Sequence, residues 1–215
     1  MTSRERPYRL PSPIYPIIDA EQSGGRAPLE LGAMVLEGGA RMIQLRAKHL
    51  STRTFCDLAK AIQAECMRNR AALIVNDRAD IARIVGAAGV HLGQTDLSPV
   101  HAREILGGDA IIGLSTHNLQ QVRRAAREVC VDYIGFGPVF QTASKANADS
   151  PQGIEGVREA RALTELPIVA IGGIDAESAT GVLAAGADAV AMIGAIATAD
   201  DAASFVRALI AAKPN

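Results

Sequence analysis

The sequence predicts an α/β fold, a closed parallel (β/α)8 TIM barrel in one domain. Three observations support this: eight short apolar runs, helix-period segments between them, and only short connections left over. The runs are Ile14 to Ile18, Met42 to Leu45, Ala72 to Val75, Val90 to Leu92, Ile111 to Leu114, Tyr133 to Phe136, Ile168 to Ile171 and Ala189 to Ile193. They are apolar throughout rather than alternating, as expected of strands covered on both faces in a parallel sheet. A spacing of about 25 residues per unit leaves room for one strand, one helix and little else. A Pro-rich arm, residues 1–13, precedes the barrel, which is expected over 14–212. Pro16 stands inside the first run, where it removes a ladder donor. Ser51 to Arg68 reads as a helix with Phe55, Leu58, Ala59 and Ile62 on one face. Asp175 can cap another helix that runs to Ala185. The competing architecture, a doubly wound open sheet, would want a Gly-rich dinucleotide turn after the first strand, and Asp19 to Gly25 does not spell GxGxxG.

Composition narrows the partners. The chain has 215 residues, 48% of them hydrophobic, enough for one sizeable core and short for two. It has no Trp and only 3% aromatic residues, which disfavours stacking on single-stranded nucleic acid. A formal charge of −1 without a basic block gives no pull toward a phosphate backbone or an anionic membrane. No apolar run is long enough to span a bilayer, and MTSRERPYRLPSP has no apolar stretch after its charges, so a cytoplasmic location is expected. Cys56, Cys66 and Cys130 match no zinc or redox spacing and are expected to be reduced thiols in helical stretches. Small-molecule substrates are therefore the expected partners; the sequence allows a homo-oligomer without specifying one.

In such a barrel the loops after the strands build the active site, and here those positions are polar. The second run leads into Gln44, Arg46 and Lys48, spaced by two so that they share one side of an extended chain. The third ends in Asn76 and Asp77, the fourth in Gln94 and Asp96, and the fifth in Ser115, Thr116 and His117. The sixth opens into a polar loop, Gln141 to Gly153, that holds Thr142, Ser144 and Lys145 and is expected to close over the mouth. The seventh and eighth end in Gly172-Gly173 and Gly194, the usual place for a phosphate cradle of backbone N–H groups. Asp77 and Asp96 offer hard oxygens suited to magnesium, or else cap the helices near Arg78 and Ser98. Arg46, Lys48 and Lys145 tip the set toward a diphosphate clamp. Of the histidines, His49 and His101 read as exposed and His91 as a hydrogen-bonded interior residue. His117 reads equally as a substrate contact or a structural group.

The motifs QLRAK at Gln44, NDRADIA at Asn76, GVHLGQTDL at Gly89, IGLSTHN at Ile112, DYIGFGPVFQTASK at Asp132 and AIGGI at Ala170 resemble those of the thiamine phosphate synthase family, in the family's order. The resemblance runs from Tyr15 to Ile196. It implies a transferase that joins a hydroxymethylpyrimidine diphosphate to a thiazole phosphate and releases pyrophosphate. By the same resemblance Gln44, Leu45, Arg46, Ala47, Lys48, Asn76, Ser115 and Lys145 bind the pyrimidine diphosphate, with Arg46, Lys48, Lys145 and Ser115 carrying the catalysis. Asp77 and Asp96 match the magnesium ligands; Thr142, Ala143, Ser144, Gly173, Ile193 and Gly194 match the positions that hold the thiazole phosphate. Three residues depart from the family's usual pattern: Ser144 where threonine is common, Gly194 where serine is common, and Thr95 where an acidic residue often precedes the metal-binding aspartate. The alternatives are a thiazole tautomerase of the same fold, which would need the phosphate cradle without the clamp, and a non-catalytic binder of thiamine precursors. A phosphosugar isomerase would want a poised base that the sequence does not display.

Overall fold

The computed structural model describes residues 8–142 and 150–212, so Ala143, Ser144 and Lys145 lie outside the described residues. The strands are β1 (Ile14–Asp19), β2 (Met42–Arg46), β3 (Ala72–Asn76), β4 (Gly89–Leu92), β5 (Ile111–Thr116), β6 (Tyr133–Phe136), β7 (Ile168–Ile171) and β8 (Ala189–Met192). They form a closed barrel in sequence order, parallel at every described pairing. The helices are α1 (Pro28–Glu37), α2 (Thr52–Arg68), α3 (Ala79–Val85), α4 (Pro99–Leu106), α5 (Leu119–Ala125), α6 (Gly153–Arg161), α7 (Ala176–Ala184), α8 (Gly194–Ala197) and α9 (Ala202–Ala211). The expected barrel is thus present, with one short helix, α8, beyond one per strand. The eighth strand ends at Met192, and Ile193 becomes the N-cap of α8.

Strand alternation sorts the apolar residues into two layers. Tyr15, Ile17, Met42, Ile74, Tyr133, Val169, Ala189 and Ala191 cluster together and fill the barrel. The residues between them, such as Ile18, Ile43, Leu45 and Val75, join the buried faces of the helices, where Phe55, Ala59 and Ile62 of α2 lie as the helix period requires. Ser51 caps α2 through Thr54 N–H, and Asp175 caps α7 in a reciprocal box with Ser178. The arm packs onto the interior cluster through Tyr8 and Leu10. The Tyr8 hydroxyl lies 3.3 Å from Met42 Sδ at the start of β2, so this segment covers the N-terminal end of the barrel. Pro16 falls where β1 changes neighbours: Ile14 to Pro16 pair with β8, and pairing with β2 begins at Ile17. The three cysteines are free, but Cys130 sits in a turn after α5, which ends at Ala125, rather than in a helix.

One arrangement recurs beneath the second half of the barrel. Asp132 Oδ2, just before β6, accepts from the Ile112 N–H and from Arg103 of α4, both at 2.8 Å. Asp188 Oδ2, just before β8, accepts from the Ile168 N–H at 2.8 Å and from Arg161 of α6 at 3.0 Å. Each carboxylate satisfies a backbone donor at the start of the preceding strand, and each arginine also reaches loop carbonyls. The first pair is nearly enclosed, with side chains 13% and 9% exposed; Asp188 is 44% exposed. Asp132→Ala should therefore cost about 2–4 kcal/mol, and Asp188→Ala about 1 kcal/mol or less, in urea unfolding. Equal losses would mean that burial does not set the strength of the motif.

Candidate active site

The polar strand ends meet at the C-terminal rim. Arg46, the last residue of β2, is ion-paired with Asp19, the last residue of β1 and directly opposite it in the ladder. Glu21 Oε2 lies 3.8 Å from the same guanidinium. Asp19 is fully buried; burial, followed by Glu21, pushes its carboxyl upward, and Arg46 pulls it back. Arg46 is thus held in place by carboxylates rather than extended freely into the mouth. Neither Asp19 nor Glu21 was among the expected site residues, although a carboxylate closing an apolar run is the signal that marks Asp19.

Asp77 follows β3 with φ +62, in the left-handed region that a non-glycine residue seldom adopts. Its N–H is tied to His91 O at 2.8 Å, and the next N–H, of Arg78, returns to Asn76 O at 2.7 Å. The strained turn carries the carboxylate to within 3.4 Å of Lys48 Nζ and within hydrogen-bonding reach of Asp96. Burial first, then the neighbouring Asp96, pushes Asp77 up to about 6 against the pull of Lys48. Asp96 Oδ2 also accepts from Gly93 N–H at 2.7 Å. The capping alternative fails for both aspartates. Helix α3 starts at Arg78 with no side-chain cap, and α4 is capped by Ser98, which accepts from His101 N–H. Two carboxylates facing one another, one of them, Asp77, with a raised affinity for a proton, fit a divalent cation, which would take the proton's place. Among the described residues no three metal-ligating side chains gather, so such an ion would complete its shell with phosphate oxygens and water. A cleft lined by Lys48, Asn76 and Asp77 opens beside the pair.

Gln44 and Ser115 stand on opposite arcs of the barrel and are connected through its interior. Gln44 Nε2 donates to the Tyr15 hydroxyl at 3.1 Å, and Tyr15 and Tyr133 share a hydrogen bond of 2.9 Å. Tyr133 reaches His91 Nδ1, and His91 Nε2 reaches Ser115 Oγ, both at 2.9 Å. His91 is thus the bonded interior residue expected, and the two tyrosines are members that the sequence did not reveal. His49 and His101 are exposed, and His117 Nδ1 lies 3.0 Å from Gly137 O. Leu45 and Ala47 are buried, and their side chains join the helix-facing core, so only their backbone can face a ligand.

On the opposite rim, Gly172 and Gly173 both take positive φ, and a Cβ on Gly172 would lie 2.5 Å from that of Pro138. Gly194 is exposed with open space at its Cβ position, and the first N–H groups of α8 project beyond it. Ile193 is buried against the interior cluster, and Thr142 is half-buried at the edge of the described segment.

Comparison with known proteins assigns the family and the fold. The sequence pattern of the family described as thiamine monophosphate synthase matches residues 14–196. A thiamine-phosphate synthase from Moorella thermoacetica is 45% identical over 172 residues, covering 80% of this chain and 81% of that protein. One from Clostridium novyi is 40% identical over 171 residues, covering 80% and 83%. The solved structure of a thiamine phosphate pyrophosphorylase from Pyrococcus furiosus superposes with a TM-score of 0.82 at 34% identity, covering 91% of this chain and 92% of that one. A 3-hexulose-6-phosphate synthase, with a TM-score of 0.65 at 20% identity, shares the fold. The chain belongs to the thiamine monophosphate synthase family.

Proposed function

We propose that the protein is a magnesium-dependent transferase that joins 4-amino-2-methyl-5-(diphosphooxymethyl)pyrimidine to a thiazole phosphate, with or without its carboxylate. The products are thiamine phosphate and pyrophosphate, with carbon dioxide as well when the thiazole carries its carboxylate. The observation that carries this reading is the rim of β2 to β4, where Lys48 meets Asp77 and Asp77 meets Asp96 beyond the end of the strand that carries Arg46, across from the glycine turns of β7 and β8. A tautomerase would need the glycine turns alone.

The bond from the pyrimidine methylene to the diphosphate oxygen breaks first, and its electron pair leaves with the diphosphate. The thiazole nitrogen then supplies the pair for the new C–N bond. No protein nucleophile is required. Arg46 and Lys48, with Lys145 from outside the described residues, stabilise the departing charge; Gln44, Asn76 and Ser115, with the backbone at Leu45 and Ala47, orient the pyrimidine. Asp77 and Asp96 would hold Mg2+, which supplies further neutralisation of the diphosphate. Gly173, Ile193 and Gly194 present backbone to the thiazole phosphate alongside Thr142, Ala143 and Ser144.

Mixing protein, both substrates and magnesium should yield thiamine phosphate and pyrophosphate in equal amounts, and a chelator should stop both. Isomerisation of the thiazole carboxylate without coupling would overturn the reading. Lys48 is half exposed, so Lys48→Ala should leave the melting temperature unchanged and lower kcat about 100-fold with little effect on thiazole KM. Equal damage to both parameters would remove Lys48 from the diphosphate end.

Gly194→Ser adds a hydroxyl where the Cβ meets nothing within 4 Å, so it should tighten thiazole phosphate binding severalfold at unchanged stability. Weaker binding would place the phosphate elsewhere.

Asp77 also sets a pH dependence. Its folded-state pKa lies above the unfolded value, so the stability it contributes is fully present below the ordinary carboxyl value of 3.8 and is lost as pH rises through about 6. In chelator, Asp77→Asn should therefore melt higher than the parent above pH 6, by on the order of 1–2 kcal/mol after allowing for solvent screening, and no higher below pH 4. Asparagine also tolerates the left-handed backbone. The same variant should be inactive. A gain that persists at pH 4 would assign the effect to the backbone instead of the charge.

A further inference from the structure

We propose that Tyr15, Tyr133 and His91 are positioning residues: they join Gln44 and Ser115 into one directional hydrogen-bond chain that fixes how the Ser115 hydroxyl meets the pyrimidine. This rests on the function proposed above, because it takes Gln44 and Ser115 as pyrimidine contacts. Direction follows from counting protons. Gln44 Nε2 donates to Tyr15, and a buried O–H left without an acceptor is costly, so we assign the Tyr15 proton to Tyr133 and the Tyr133 proton to His91 Nδ1. Burial pushes both phenols well above their ordinary range, so each keeps its proton and passes on one bond. An imidazole that accepts at Nδ1 carries its proton on Nε2 and donates to Ser115 Oγ. Ser115 then holds one accepted bond, with its own O–H directed to whatever occupies the mouth. A ring nitrogen of an aminopyrimidine accepts such a bond; a carbon at that position would not.

The backbone makes room for this chain. A Cβ on Gly113 would enter the Tyr133 ring and lie 2.5 Å from His91 Nδ1, and one on Gly135 would lie 3.1 Å from His91 Cε1. Both glycines sit mid-strand at ordinary φ, where glycine weakens a sheet, so their use here answers to the space that His91 and Tyr133 occupy. Gly113 is the ladder partner of both His91 and Tyr133.

Tyr15→Phe and Tyr133→Phe each remove one hydroxyl and keep the ring. Each should lower kcat/KM for the pyrimidine diphosphate about tenfold and leave thiazole phosphate KM within about twofold. Tyr8→Phe, whose hydroxyl faces Met42 outside the chain, should leave both unchanged. In a Ser115→Ala background the Tyr133→Phe loss should vanish, because the chain acts only through that hydroxyl. Losses that add in the double variant, or an unaffected Tyr133→Phe enzyme, would overturn the proposal. The His91 tautomer is read separately by 15N chemical shifts, assigned with a His91→Gln variant: Nε2–H is expected, and Nδ1–H would reverse the chain. That measurement needs no turnover, so an inactive parent would refute the proposed reaction while the tautomer still tests the chain.

Discussion

The first strand holds the site together by pairing at both edges. Ile14 to Pro16 bond to Val190 through Met192 on one side, and Ile17 to Asp19 bond to Gln44 through Arg46 on the other. The stagger closes the barrel and places Asp19 beside Arg46 at the rim. Because all eight strands run the same way, every strand terminus with a reactive side chain opens onto the same mouth. The helices need only cover the outer face. That explains why the sequence spends its polar residues after strands and its alanines and leucines elsewhere.

At that mouth the charges are arranged unequally. Arg46 is already neutralised by a buried partner, which keeps its guanidinium in place before any ligand arrives. Asp77 and Asp96 are the reverse case: they repel one another, and Lys48 does not fully offset the repulsion. A fixed cation beside such a carboxylate pair suits the diphosphate and metal proposed above. The left-handed turn at Asp77 holds the repulsion in place, since its N–H and the following N–H are both committed to backbone carbonyls.

The fold was legible because a parallel barrel writes itself into a one-dimensional pattern. Runs such as Ile168 to Ile171, apolar on both faces, admit few other environments, and the helix after Asp175 announced its own cap. Strand ends were missed by a residue or two where a polar residue continues the ladder, as Arg46 and Asn76 do. The rim residues were legible for the same reason as the strands: they follow them. Their partners were not. Asp19 meets Arg46 through barrel closure, and Tyr15 meets Tyr133 across the interior, 118 positions apart. A local pattern cannot register such pairs. Ruling out a capping part for Asp77 and Asp96 also needed three dimensions, because Ser98 rather than Asp96 caps α4.

The barrel interior carries a final argument about cost. A core of aliphatic side chains would be more stable than one that buries Gln44, two phenols and an imidazole, because each polar group loses water on folding. The loss is tolerable only if every member finds a partner, and here each does, from Gln44 to Ser115. An unbroken chain is directional in a way that an apolar core is not: each hydroxyl that donates to one neighbour accepts from the other. A barrel that held its substrate by shape alone would have no use for such a chain. One that must recognise the nitrogen pattern of a heteroaromatic ring gains from having its donor fixed before the ring enters.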